Sequence, residues 1–589
     1  MARNPNPHEA WIQEMQAVFT AKAIVTAIGE GAGAMNIHGT YSNDFPVENP
    51  YNGTINGLFD AFITKFSPQG NKLVYSTYFG GSGGDVGGGI FVDSSECIYI
   101  VGTTNSTDLP LVNPFDDTLG GFVDGYVAKL SSSGNELIYS TYLGGTYGNH
   151  CEGCDYPYGI EVDSSGCAYV AGWTFSEDFP VENPYDGTFN GADDVFLTKF
   201  SPEGNTLVYS TYLGGPLPDE CDGGLAVDSD GCAYVTGLTY WDFPVQNGYD
   251  MSYNGEEDSF LTKFSPEGNT LVYSTYLGGE KEEWGWDVAV DDSNCAYAIG
   301  FTRSSNYPTM NAYDDSFNGG YSDVYITKFS PQGDALEYST FLGGSNQDGG
   351  IAVAIDDEGC AYVTGHTESN DFPMVNTFDG TYNGDTDVFV TKLSSTGNKL
   401  EYSTYLGGSA YELGHGIDVD YDGSAYVFGY TRSSEFPVEN AFDDTYNGNR
   451  DLFLTKFPED GGSNAPFVPQ KPTGQTNGEA GKEYNYTSLT SDPQSDDIYY
   501  MFNWGDGNSS GWVGPYKSGE EGSSSHTWYS KGSYTIHVKA KDINGDVSGW
   551  SDPLTITMPK NKIMLLQNLF WYKVLEQFPI LQKILHFMK

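Results

Sequence analysis

The chain has 589 residues, with 80 Asp and Glu against 26 Lys and Arg, and a formal charge of −54. That length exceeds one ordinary core and calls for more than one domain. The charge disfavours nucleic acid and anionic membranes as partners and suits cations.

Residues 1–13 read as an N-terminal lead, and the opening MARNPNPHEAWIQEM lacks the cationic and apolar pattern of a secretion signal. No run in the chain reaches the ~20 apolar residues that span a bilayer. Residues 14–458 then repeat one pattern. A Tyr-Ser-Thr-Tyr/Phe-Leu/Phe-Gly-Gly run starts at Tyr75, Tyr139, Tyr209, Tyr273, Tyr338 and Tyr402. An Asp-x-Phe/Tyr-x-x-Lys-Phe/Leu run starts at Asp60, Asp124, Asp194, Asp258, Asp323, Asp387 and Asp451. A fixed period of this length means one supersecondary unit repeated around or along an axis.

Residues 224–279 show the unit. GLAVD is strand A, SDG a turn, and CAYVTGLT strand B. A long polar and aromatic connection leads to strand C, SFLTKF; SPEGN turns into strand D, TLVYSTYLGG. Four antiparallel strands per unit, without helical periodicity between them, predict an all-β, seven-bladed β-propeller. The last copy has A, B and C but no D, and EMQAVFT at 14–20 can supply the missing outer strand and close the ring.

YSTYLGG, GLAVDSDGCAYVTG and DFPV resemble the seven-bladed β-propeller repeat family of secreted and surface-anchored archaeal and bacterial proteins. The resemblance implies fold and an extracellular or cell-surface location, and brings no shared catalytic residue.

In such a blade the A–B and C–D turns share one face, and the longer B–C and D–A connections share the other. Loops on a rigid scaffold carry function, so the second face is the expected interaction face. Four residues before the predicted A strand of every blade but the first stands an acid, Asp85, Asp155, Glu220, Glu283, Asp348 and Glu412, while the first blade has Lys22 at the aligned place. Two expectations follow: a ring of oxygen ligands for Ca²⁺ or another cation at the channel mouth, or six separate caps on backbone N–H groups of their own turns. The Asp residues opening strand C read as structural, with local Ca²⁺ clips through Asn-Gly, as in Asn190-Gly191, as the alternative.

Five cysteines, Cys97, Cys167, Cys232, Cys295 and Cys360, share one slot of the repeat and read as packing residues. An insertion at residues 146–158 carries His150, Cys151 and Cys154, and Cys221 lies in the next D–A connection. These suit a disulfide from Cys221 to Cys151 or Cys154, unpaired thiols, or a Cys₃His zinc site. In the D–A connections, the residues that break the repeat are His150, Trp284, Trp286 and His415.

Residues 459–465 read as a linker and 466–558 as a β-sandwich. Trp504-Gly505-Asp506-Gly507 and Gly532-Ser533-Tyr534-Thr535-Ile536 resemble the PKD type of immunoglobulin-like domain. Residues 559–589, with five Lys and one Glu, predict a short amphipathic basic helical tail around Pro579, able to contact an interface or a partner through 560–589. The functional expectation is a non-enzymatic extracellular binding or scaffold protein for a surface glycan or protein. A propeller hydrolase or lyase acting on polysaccharide and a Ca²⁺-stabilised self-assembling scaffold are the alternatives. If Ca²⁺ holds the acid ring or the clips, EDTA lowers the melting temperature; an unmoved melting curve excludes both.

Overall fold

The computed structural model describes residues 24–26, 33–40, 45–148, 153–458, 466–492, 496–543 and 547–558, the first two segments as backbone only. The expected N-terminal strand at 14–20 and the helical tail at 559–589 lie outside the described residues. The described chain is all β, and none of it forms a helix long and apolar enough to cross a membrane. Two compact units divide the chain, Met1–Gly461 and Gly462–Lys589.

In the first unit the strands form successive antiparallel sheets, each in the order A-B-C-D. Sheet 1 pairs Ile24–Thr26, Gly33–Thr40, Asp60–Phe66 and Leu73–Phe79. Sheet 2 pairs Asp85–Val92, Ile98–Thr104, Asp124–Leu130 and Leu137–Leu143, and sheet 3 Asp155–Val162, Ala168–Thr174, Asp194–Phe200 and Leu207–Leu213. In sheet 4 strand A is split into Asp219–Glu220 and Leu225–Val227, both paired to Ala233–Thr239; Asp258–Phe264 and Leu271–Leu277 follow. Sheet 5 runs Glu283–Val290, Ala296–Thr302, Asp323–Phe329, Leu336–Leu342, and sheet 6 Asp348–Ile355, Ala361–Thr367, Asp387–Leu393, Leu400–Leu406. Sheet 7 has three described strands, Glu412–Val419, Ala425–Thr431 and Asp451–Phe457. These are propeller-like blades.

Strands B and C are apolar on both sides because each blade is covered by its neighbours. Cys295, Tyr297, Ile299, Val324 and Ile326 of sheet 5 share one cluster with Val353, Val363, Phe389 and Tyr405 of sheet 6. The first Tyr of each Tyr-Ser-Thr run also serves the next blade. Gly204, at φ +71°, lies flat on Tyr139, where a Cβ would come within 2.4 Å of the ring. Gly268 does the same on Tyr209, so the C–D turn demands glycine twice over, for its dihedral and for the ring beneath.

A charged clamp recurs at the A–B end of the blade. In sheet 4, Asp228 accepts hydrogen bonds from the Asp230 and Cys232 amides, from Tyr234 at 3.0 Å and from Lys263 of strand C, whose Nζ lies 2.9 Å away. Lys263 also donates to the Tyr234 hydroxyl at 2.5 Å. Asp163, Tyr169 and Lys199 repeat the arrangement in sheet 3, and Asp291, Tyr297 and Lys328 in sheet 5. The strand-C lysines thus pair with the turn between A and B, far from the aspartates that open their own strands.

The second unit holds two sheets: Thr473–Gly474, Glu483–Ser488 and Gly522–Thr527; and Val513–Tyr516, Ile498–Asn503, Gly532–Lys541 and Leu554–Met558. Their shared core contains Tyr486, Tyr500, Phe502, Trp504, Trp528 and Ile536, and the Trp528 indole N–H donates to the Trp504 carbonyl at 3.1 Å.

Removing one partner of a buried ion pair strands the other charge. Lys263→Ala, whose partner Asp228 is 1% exposed, is expected to lower stability by about 3–5 kcal/mol. Lys65→Ala, whose partner Glu96 is 43% exposed, should lose less than about 1 kcal/mol. Chemical denaturation of the two variants checks the difference; equal losses would refute the clamp.

Candidate functional site

Strand A begins earlier than its apolar pattern suggests, on the acid itself. Asp85, Asp155, Glu283, Asp348 and Glu412 are first residues of their strands, fully buried, opposite Thr104, Thr174, Thr302, Thr367 and Thr431. In sheet 4 the acid in that register is Asp219, opposite Thr239. Glu220 stands one position further on, because this strand carries one extra residue in the segment 221–224.

The first-position acids take donors from their own corner of the blade, although one oxygen of Asp85 and one of Asp348 stay buried without a partner. Asp85 accepts from the Gly81 amide and the Ser106 hydroxyl, both at 2.8 Å; Asp348 from the Gly344 amide and Ser369. Asp155 accepts from the Gly145 amide at 2.8 Å, Thr174 and Ser176; Glu283 from the Gly279 amide and Thr302, both at 2.6 Å; Glu412 from the Gly408 amide, Thr431 and Ser433. Burial places these carboxylates on donors of their own corner. Among the described residues no three His, Cys, Asp or Glu side chains converge to hold a metal ion.

The strand-C aspartates also close their own turns. Asp194 accepts from the Asn190 amide at 2.8 Å, while the Asn190 side chain donates to Asp186 at 2.7 Å. The two sets of acids meet across the first glycine of Gly-Gly. A Cβ on Gly278 would fall 2.5 Å from an Asp258 carboxylate oxygen and 2.7 Å from one of Glu283.

Of the alternatives for the inserted cysteines, the unpaired thiol holds at Cys221, and its disulfide to Cys154 is corrected. Cys221 is a free, fully buried thiol packed in the core shared by sheets 3 and 4, and burial pushes it up to about 12. Cys154 is buried and disulfide-bonded, so a bridge between these two does not form. His150 and Cys151 lie outside the described residues. Cys97, Cys167, Cys232, Cys295 and Cys360 are free, as expected of residues sharing one slot.

The repeat is most broken at the position after the strand-A acid and at its strand-B partner. Sheet 3 places Tyr156 opposite Trp173, sheet 4 Glu220 opposite Leu238, and sheet 5 Trp284 opposite Phe301. These side chains join into one arc across three adjacent blades. Tyr156 lies 4.5 Å from Trp173, and the Trp173 indole donates to Asp222 at 3.1 Å. From the other side the Trp284 indole and the Tyr240 hydroxyl both donate to Glu257 at 2.6 Å, and Trp284 packs on Phe301 and Trp286. Tyr156, Trp173, Glu220, Asp222, Trp284 and Trp286 are all half-buried rather than sealed in. Burial, and then the neighbouring Asp222, Asp193, Glu257 and Asp219, hold the Glu220 carboxyl well above the usual carboxylate range. Asp222 is pushed up to about 6 by burial, against the hydrogen bond from Trp173.

Trp284 and Trp286 were marked by the sequence as breaks in the pattern. Tyr156, Trp173, Asp222 and Glu257 were missed, although a column-by-column comparison of the repeats exposes the first two. The His415 ring lies tilted 5.6 Å from Tyr430 in sheet 7, apart from this arc in the repeat.

Residues 74–110 and 401–437 match the family described as Beta-propeller repeat, and residues 469–552 match the PKD domain. The chain carries β-propeller repeats followed by a PKD domain. No curated protein matches it. Among solved structures, the PKD domain of an M14-like peptidase from a Thermoplasmatales archaeon is 51% identical, covering 16% of this chain and 97% of its own, with a TM-score of 0.16. The extracellular domain of a one component system from B. thetaiotaomicron is 11% identical over 92% of this chain and 59% of its own, with a TM-score of 0.33. A gluconolactonase from Xanthomonas campestris is 12% identical over 52% of this chain and 78% of its own, with a TM-score of 0.27.

The facing acids of the propeller repeats have a consequence for pH. Burial pushes Asp155, Asp194, Asp258 and Asp387 up to about 7, and Asp219 and Asp323 up to about 8. Amide and hydroxyl donors oppose the shift, and the carboxyl across the glycine adds to it for Asp155, Asp219, Asp258, Asp323 and Asp387. An unfolded Asp titrates near 3.9, so the folded state holds more protons between about pH 4 and pH 8. The stabilisation is complete below the unfolded value and is lost as pH rises through the folded ones. The melting temperature is expected to fall between pH 5 and pH 8, and Asp323→Asn to flatten that fall. A melting temperature that rises over this interval would contradict the assignment.

Proposed function

We propose that this chain is an extracellular or cell-surface binding scaffold, in which a closed seven-bladed propeller presents the arc of blades 3–5 to a ligand. Propeller repeats and PKD domains are typical of extracellular proteins, which supports the location. Ring closure is supported by strand Ile24–Thr26 touching Glu412–Val419, and by the Phe66 ring standing 6.2 Å from Phe442.

The observation that carries the reading is the arc. A repeat protein packs its blades with whatever the consensus supplies, and blades 2 and 6 place Val86 opposite Thr103 and Gly349 opposite His366 at these positions. Large, half-buried aromatics beside carboxylates at the same positions in blades 3 and 5 exceed what packing needs. Tyr and Trp supply contact area at low entropic cost, which is why they concentrate in recognition surfaces. The indole N–H groups hold Asp222 and Glu257 as fixed acceptors.

The test is a glycan and polysaccharide array with the full chain and with Trp173→Ala and Trp284→Ala. Both variants are expected to lose the ligands that the parent binds, by about tenfold or more in affinity. Retention of every ligand by both folded variants would move the binding surface elsewhere.

A further inference from the structure

The second unit carries a surface of the opposite character, independent of the arc. Successive residues of a strand face opposite sides of its sheet. In the paired strands Ile498–Asn503 and Gly532–Lys541, Tyr500, Phe502, Val538 and Ala540 point into the core. Their neighbours face outward in register: Tyr499 opposite Lys541, Met501 opposite Lys539 and Asn503 opposite His537. These outward rows contain no carboxylate. The Lys539 Nζ lies 4.9 Å from the centre of the Trp550 ring and 5.6 Å from that of Trp512. The Lys541 Nζ lies 5.0 Å from Trp512 and 5.5 Å from Tyr499. The two ammonium groups thus share Trp512, and Trp550 is 44% exposed beside them.

Neither lysine has an ion pair or hydrogen bond among the described residues, whereas Lys517 of the same unit pairs with Asp497 at 2.7 Å. In a chain of 80 acids and 26 bases, positive charge is left uncompensated here. The face therefore repels cations and complements an anion. An acidic peptide docks best along a sheet edge, through main-chain hydrogen bonds, and this face offers side chains only. Nucleic acid calls for a broad basic footprint, which two lysines in a chain of −54 do not supply. A uronate sugar uses both components. Its carboxylate meets an ammonium in a charge-assisted hydrogen bond, and the C–H face of its ring packs as apolar surface on an exposed indole. We propose that this outer sheet face binds an acidic polysaccharide, with Lys539 and Lys541 as counter-ions to its carboxylates and Trp550 as the stacking surface.

The proposal is tested by calorimetry and tryptophan fluorescence on the full chain, with tetragalacturonate and with its methyl ester, which keeps the sugar rings and removes the charge. The acid is expected to bind at least about tenfold more tightly, and added salt to weaken it. Lys539→Gln combined with Lys541→Gln should lose about tenfold for the acid and leave the ester unchanged, and Trp550→Ala should weaken both. Equal affinity for the two probes, no saturable binding of the acid, or binding indifferent to the loss of both lysines overturns the proposal. Oligo-aspartate or oligothymidylate of the same charge binding as tightly as tetragalacturonate overturns the sugar class. Trp173→Ala and Trp284→Ala should leave tetragalacturonate binding unchanged, and its loss in those variants overturns the assignment to this face. The comparison of the two probes on the unaltered chain does not depend on any variant folding.

Discussion

The structure turns on how buried carboxylates are compensated at the two ends of strand A. At the A–B end an aspartate meets a lysine and a tyrosine, as Asp228 meets Lys263 and Tyr234. At the other end the first residue of strand A, Asp348 for example, meets only amides, hydroxyls and a second carboxyl. One end holds its charge through an ion pair with satisfied lone pairs. The other holds its groups with neutral donors, and burial raises the carboxyls of Asp85, Asp155, Asp219, Glu283 and Asp348. The repeat copies both solutions around the chain, so the two faces differ chemically even where their backbones are alike.

That asymmetry explains why variation gathers where it does. The clamp ties the A–B turn and strand C of each blade into a network that tolerates little change, and glycines such as Gly204 pack directly on the tyrosine of the preceding blade. At the B–C and D–A face the buried acids secure the start of strand A. The residue after each acid is free to differ: Val86, Tyr156, Glu220, Trp284, Gly349 and Leu413. Sheet 4 goes further and accepts an extra residue, which breaks strand A, and Asp222 in the break takes a hydrogen bond from Trp173 of the preceding blade. A rigid, repetitive scaffold can carry one irregular blade because its neighbours supply the lost contacts. Cys221 remains sealed in their shared core despite the break.

Much was legible from the residues alone. The strand order within a blade, the exceptional seventh sheet, the unpaired slot cysteines and the separate core around Trp504 and Trp528 all follow from local pattern. Alternating apolar positions and turn residues act over short distances, and a repeat states them many times. The site was less legible. Spacing from the apolar run points to Glu220 in sheet 4, whereas the extra residue in that strand makes Asp219 the equivalent acid. Cys154 and Cys221 were brought together by their loop positions, whereas Cys221 points into the core.

What the sequence by itself determined is the repeated blade: strands, turns, glycines, and the spacing that delivers Asp, Tyr and Lys to one clamp. These depend on neighbours along the chain and across one sheet. Only the tertiary structure decided which acids are buried, which donors they take and which blades place tryptophans beside Asp222 and Glu257. Those outcomes depend on contacts between adjacent blades and on a strand register shifted by one residue, and side chains distant in sequence acquire their partners, their burial and their charge state only there.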